Sequence, residues 1–369
     1  MMRWRVFALV VLAVLVTTSP AWGWGPRGHE MANRAAVETI PSDGPAFLKH
    51  YIDWISATGP IPDTWRGVGT PYSKLFEDPN HGWFREQFSF MKTIPRSRYE
   101  FVIEVYNEYR KLKKTDPKSA ALMNARWTGT LPYAEMENFD RMEEAMRMYR
   151  HFIALSAPEA QQQARFLARD IAFYMGWMGH YAADGEQPLH DTIQHDGWQG
   201  PNPHHYTTDP RIHGRFEGQF VNLMGLTDSD LVPRMGKPTI LADPFATIIE
   251  YLGEASTHVE AIYQMDQRGA FSKPDDPQAR ALAISQLAKA ATLLRDLTYT
   301  AWVESGTPLP RVLRENGSCP GEPCRGAVPD PIYPSDPNYN PATGTAPPPG
   351  PRPSWKSGTE SEPKVGDQP

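Results

Sequence analysis

The stretch SAPEAQQQARFLARDIAFYMGWMGHYAAD spans residues 156–184, and its reading decides the fold class. It opens with Ser156 and Glu159 at capping-box spacing and an early Pro158, then reads as one long buried helix. Its last turns carry His180 and Asp184, four apart, so both side chains leave the same face. Helical signals continue on either side. RSRYEFVIEVYNEYRKLKK (96–114) sets Phe101, Val105 and Tyr109 on one face. DDPQARALAISQLAKAATLLRDLTYTAWVE (275–304) places Asp276 before Pro277 and carries Leu282, Leu287, Leu294 and Leu297. A further helix is expected over 243–265. Clean alternating strand patterns are scarce and no solenoid period is visible, so the chain reads as mainly α.

The two ends differ from the middle. Arg3 and Arg5 precede VFALVVLAVLV (6–16), a run too short to span a bilayer comfortably. Ala21 and Gly23 stand at the −3 and −1 places of a cut before Trp24, so residues 1–23 read as an export signal. A cut after Ala21 would free Trp22 instead, and an uncleaved anchor is the rival reading. Either cut predicts a secreted or periplasmic protein. Residues 311–369 are expected to form a Pro-rich, extended tail, because 329–369 offers almost no aliphatic residue to bury. No comparable linker interrupts 24–310, which reads as a single domain.

The formal charge of −6 excludes a polycation that grips nucleic acid through bulk electrostatics. A phosphate-bearing substrate then needs local positive charge, which bound metal supplies. Cys319 and Cys324 are too few for a Cys-only zinc site, lie beyond the expected core, and read as structural.

The chemistry is concentrated in GHYAADGEQPLHDTIQHDGWQGPNPHHYTTDPRIHGRFEGQF (179–220). His190 follows Pro188, where the long helix must end or kink. Asp209 and Pro210 then suit the N-cap and first position of a new helix, which puts His213 and Glu217 on one face. One His/carboxylate pair four apart is usually no more than a surface or neighbouring hydrogen bond. Two such pairs flanking a third His point to a metal site, and three protein ligands with open positions is the catalytic zinc pattern.

The order H-x3-D-x5-H, then H-x3-[D/E], with an N-terminal WG..GH, resembles the S1/P1 nuclease and zinc-dependent phospholipase C superfamily. The resemblance runs from Trp24 to about residue 300, and QPLH (187–190) is a feature of the nuclease branch. It implies a mainly helical domain of the phospholipase C/P1 nuclease type, with a cleft binding three zinc ions and no organic cofactor. Carried onto this chain, one zinc takes Asp63, His81, His180 and Asp184. A second takes the α-amino nitrogen and carbonyl oxygen of Trp24, together with His29 and the other oxygen of Asp184. A third, more exposed zinc takes His190, His213 and Glu217. Asp53 and Asp78 are rival carboxylates for the place given to Asp63.

The resemblance further implies a phosphodiesterase cutting single-stranded DNA or RNA to 5′-phosphate products, with 3′-nucleotidase activity and Asp63 orienting or deprotonating the attacking water. Glu rather than Asp at 217, and the absence of the Asp expected a few places after His81, keep a phospholipase C as the alternative. A non-catalytic zinc protein is the outside case. Trp83, Phe84, Trp198 and Tyr206 are candidates to stack on an unpaired base, although each could equally fill the core. No stable protein partner is evident. His195, His204 and His205 read as exposed loop residues, and His50, His151 and His258 lack the further ligands a site needs. His204 is a decoy, since position 208 is Thr and the i+4 carboxylate is absent.

Overall fold

A computed structural model describes residues 24–307 apart from 68, 122 and 124–127. The segments expected to be an export signal and a Pro-rich tail, with both cysteines, lie outside the described residues. The compact unit ends at Thr307. Among the described residues there are helices, turns and loops but no strand, so the mainly α reading holds. None of these helices is long and apolar enough to cross a membrane.

The longer helices are α1 (Gly25–Glu38), α2 (Ile52–Thr58), α3 (Pro71–Glu77), α4 (Arg98–Thr115) and α5 (Leu131–Ile153). They continue with α6 (Pro158–Gly185), α7 (212–224), α8 (Pro244–Ser256), α9 (Val259–Gln267) and α10 (Pro277–Glu304). The most extensive helix pair is α5 against α6, and α1, α2 and α10 pack on the remaining faces of α6. This makes α6 the central element. From Ile171 to Gly185 most of its side chains are buried, Met175, Met178 and Tyr181 among them.

Local chemistry explains the boundaries. Asp276 caps α10 by accepting a hydrogen bond from the Ala279 amide at 3.0 Å, as its place before Pro277 predicts. Ser97 does the same for α4, accepting from Glu100 at 3.3 Å. The Ser156/Glu159 capping box does not form: Ala157 is the N-cap and no side chain caps α6, so Pro158 alone marks the start. The single helix expected over 243–265 is two helices, α8 and α9. The Thr257 hydroxyl bonds the Glu254 carbonyl at 2.7 Å, and the Thr257 and His258 amides bond back only three residues. That tightening breaks the 3.6-residue period.

Two glycines let α6 approach its neighbours closely enough to build a site. A Cβ on Gly179 would stand 2.0 Å from Asn33 Oδ1, and one on Gly176 would stand 2.6 Å from Thr58 Cβ. In that space the buried Asn33 amide donates to the Ile55 carbonyl at 3.0 Å and the Gly176 carbonyl at 3.1 Å, tying α1, α2 and α6 together. His29, one turn before Asn33 on α1, is thereby stacked on His180 with ring centroids 4.1 Å apart.

Candidate metal centre

The fold brings eight polar side chains from separate segments into one buried cluster. His29 comes from α1, Asp63 from the turn Ile61–Thr64, and His81 from the turn Asp78–His81. His180 and Asp184 come from α6, His190 from the turn Pro188–Asp191, and His213 and Glu217 from α7. All eight are buried. Within α7 the stretch Arg215–Phe220 is wound as a π-helix, a local widening that proteins often place at functional sites.

Asp184 is the hub. Its Oδ1 lies 3.5 Å from His29 Nε2, and its Oδ2 lies 2.9 Å from His81 Nδ1 and 3.2 Å from His180 Nε2. Asp63 Oδ1 faces the same two rings, 3.7 Å from His81 Nδ1 and 4.0 Å from His180 Nε2. Beside this group His190 Nε2 stands 2.8 Å from His213 Nε2 and 3.4 Å from Glu217 Oε2, which is 2.5 Å from His213 Nε2.

The hydrogen bonds behind the rings decide which nitrogens face inward. His180 Nδ1 donates to the Gly59 carbonyl at 2.8 Å, and His190 Nδ1 donates to the His81 carbonyl at 2.5 Å. A carbonyl only accepts, so each neutral ring presents its Nε2 lone pair to the cluster. His81 is turned the other way. Its Nε2 faces Glu77 Oε1 at 3.4 Å, while Glu77 also accepts from the Tyr181 hydroxyl. Gln187 holds Glu217 by donating to Oε2 at 2.9 Å, and its own Oε1 accepts from the Leu189 amide.

This donor set fits metal ions. Two neutral imidazoles facing each other at 2.8 Å repel unless a proton or cation lies between them. Asp63 Oδ2 and Glu217 Oε1 are buried and accept no hydrogen bond, a costly arrangement that coordination would relieve. Three groups have ligand atoms within 4.8 Å of one another: His29/Asp63/His180, His81/His180/Asp184 and His190/His195/His213. Imidazole and carboxylate without thiolate suits zinc and similar divalent first-row ions.

Trp24 is buried, its indole donating to the Ala183 carbonyl at 2.7 Å, immediately beside Asp184. Phe84 lines the cleft over the cluster, with its ring 5.6 Å from that of His195. Trp83 does not: it is 1% exposed and packed among Phe88, Phe101 and Tyr133, so it fills the core and has no face for a base. Trp198 and Tyr206 pack on each other and on Tyr263, away from the cleft. Asp53 is exposed and pairs with Arg34 at 2.5 Å, and Asp78 pairs with Arg66 and Lys74. His50, His151, His204 and His205 are exposed. His195 departs from its exposed-loop reading: its side chain is only 21% exposed, and its ring lies 3.9 Å from that of His213, tilted by 55°. Glu77 and Gln187, which orient ligands, were also not anticipated, although Glu77 and His81 repeat the four-residue spacing.

The cleft has a volume of about 240 Å³, and Arg66 and Lys74 line it together with Asp78, to which both are paired. Charge inside is strongly coupled. Burial works against ionisation of Asp184, but His180 and His190 hold it well below the usual carboxylate range. Burial is likewise outweighed at His190, where Asp184 and Glu217 push the imidazole up to about 9, and His180 is raised by Asp184 and Asp63. Burial with His213 and His190 nearby pushes His195 well down, and burial raises Asp63.

These directions predict a pH signature. A histidine raised above 6.5 in the folded state stabilises the metal-free protein fully below 6.5, and that contribution is lost as pH climbs toward about 9. His195 and Asp184 are lowered, so their effects are confined to pH below 6.5, whereas burial raises Glu135, Glu186 and Asp191 well above the carboxylate range, which likewise costs stability as pH rises. Metal-stripped protein should therefore melt several degrees lower at pH 9 than at pH 6.5. The gain in melting temperature on adding zinc should grow over the same interval, because coordination needs neutral imidazole. Melts at both pH values, with chelator and with zinc, check both statements; a metal-free melting temperature that rises with pH contradicts the first. No family model, curated protein or solved structure matches this chain.

Proposed function

We propose that this chain is an exported zinc-dependent phosphodiesterase of the S1/P1 nuclease type, hydrolysing single-stranded DNA or RNA to 5′-phosphate products. The observation that carries the reading is the convergence on Asp184 of His29 and His81 from two other segments and of His180 from one turn earlier on α6, with a second His/carboxylate pair at His213 and Glu217 beside it. Asp63, His81, His180 and Asp184 would hold one zinc, and Trp24, His29 and Asp184 a second. His190, His213 and Glu217 would hold a third. When bound, such ions polarise phosphoryl oxygens and activate water near neutral pH.

The chain's own groups supply the rest. Asp63, whose Oδ2 accepts no hydrogen bond, would orient the attacking water and take its proton. Arg66, 3.4 Å from Asp63 and lining the cleft, would offer a guanidinium to a non-bridging phosphate oxygen. Phe84 offers one aromatic face to the substrate.

One observation favours phospholipase C instead. Tyr72, Leu75 and Phe76 on α3 are 89%, 59% and 58% exposed, on the helix whose Lys74 lines the cleft. An apolar surface there suits a lipid better than a polynucleotide. Purified protein should be assayed on single-stranded DNA, RNA and phosphatidylcholine, with and without chelator. Chelator-sensitive cleavage of nucleic acid is the expected result. Cleavage of lipid alone would overturn the first reading in favour of the second, and bound zinc with no hydrolysis would leave a zinc-binding protein.

A further inference from the structure

We propose that His195 is a fourth protein ligand of the outer ion, alongside His190, His213 and Glu217. The proposal rests on the outer group being a metal centre, as argued above. One ring nitrogen from each of His190, His195 and His213 lies within 4.8 Å of the others. The ring of His195 is 3.9 Å from that of His213 and 5.1 Å from that of His190. Its Nδ1 donates to the Leu189 carbonyl at 2.8 Å, the same backbone-fixed tautomer found at His180 and His190, so Nε2 carries the lone pair. The nearest acid to that Nε2 is Asp196 at 3.7 Å, too far for a hydrogen bond.

The loop carrying His195 is pinned. The Thr192 hydroxyl donates to Glu86 at 2.5 Å, the Gln194 amide to Thr192 Oγ1 at 3.1 Å, and the Tyr263 hydroxyl to the Gln194 carbonyl at 2.5 Å. A ring fixed from behind, on a loop pinned just ahead of it, holds its free nitrogen at a set place, as a ligand must be. Three imidazoles and a carboxylate complete a tetrahedral set for zinc. The outer ion would then be retained at low free zinc, and it would reach a substrate oxygen only by expanding to five-coordination.

The test uses His195→Asn in the zinc-loaded protein beginning at Trp24. Asparagine places an N–H near the position of Nδ1, which keeps the Leu189 bond, and it removes Nε2. Zinc per chain is read in competition with a chromophoric chelator. The expected result is unchanged binding of two ions and at least an about 10–100-fold weaker third, the scale lost when even an orienting partner is removed. Three ions held with wild-type affinity would overturn the proposal. Wild-type protein that binds no zinc would instead overturn the metal-centre reading beneath it. A second measurement does not depend on the variant folding. In ¹⁵N-labelled wild-type protein, the His195 Nε2 resonance should shift when the last equivalent of zinc is added, and no shift refutes coordination.

Discussion

Asp184→Asn is expected to lower phosphodiester hydrolysis by about 10³-fold or more and to leave the protein short of its two inner ions. Both oxygens of Asp184 are committed, Oδ1 toward His29 and Oδ2 toward His81 and His180. Asparagine has one oxygen and one NH₂, so whichever way the amide turns, one side presents donors where a cation would sit. Loss of one preorganised group at a reacting centre costs about 10²–10³ in rate, and this change removes a ligand from two ions together. It also removes the negative charge that three buried imidazoles face. Metal-free variant protein should therefore melt below metal-free wild type, since breaking a buried pair by deleting one partner costs roughly 3–5 kcal/mol. Zinc content, hydrolysis rate and metal-free melting temperature should all fall. Full zinc content with a rate within tenfold of wild type would remove Asp184 from the centre of the mechanism.

Why Asp184 was legible in the sequence and His195 was not is a matter of distance along the chain. His180 and Asp184, like His213 and Glu217, are joined by one helical turn, and helix geometry alone puts them together. Asp63 and His81 have no such local tie. Only the resemblance points to them, because the close approach of α6 to α1 and α2 at Gly176 and Gly179 is a tertiary feature that local spacing does not show. His195 sits in a polar loop whose composition reads as exposed; only the tertiary bonds to Leu189, Glu86 and Tyr263 turn it inward. Trp83 shows the opposite failure. Next to His81 it reads as a substrate contact, yet successive backbone positions point different ways, and its ring joins Phe88, Phe101 and Tyr133 in the core. The break between α8 and α9 escaped notice because Thr257 is an ordinary residue whose hydroxyl competes for a helix carbonyl only in that local geometry.

Protein carrying even one extra residue ahead of Trp24 should bind one zinc fewer than protein beginning at Trp24, and hydrolyse substrate at least about 10²-fold more slowly. The Trp24 indole is buried and donates to the Ala183 carbonyl, so the backbone of residue 24 is anchored beside Asp184. An α-amino nitrogen there has a lone pair once deprotonated, and its ordinary pKa of about 7.7–8.0 puts that within reach of a bound cation. An amide nitrogen has none to give. The backbone adds a second argument. Trp24 sits at φ +24°, a region that costs an L-residue roughly 1–3 kcal/mol, and φ exists only while a residue precedes it. Cutting before Trp24 would therefore release that strain and unmask the expected ligand in the same step. An extended chain whose extra residues end in a protease site supplies its own control. Cleavage to Trp24 should restore both the missing zinc and the rate, while an extended chain already holding its full zinc at full rate would show that the amine is not a ligand.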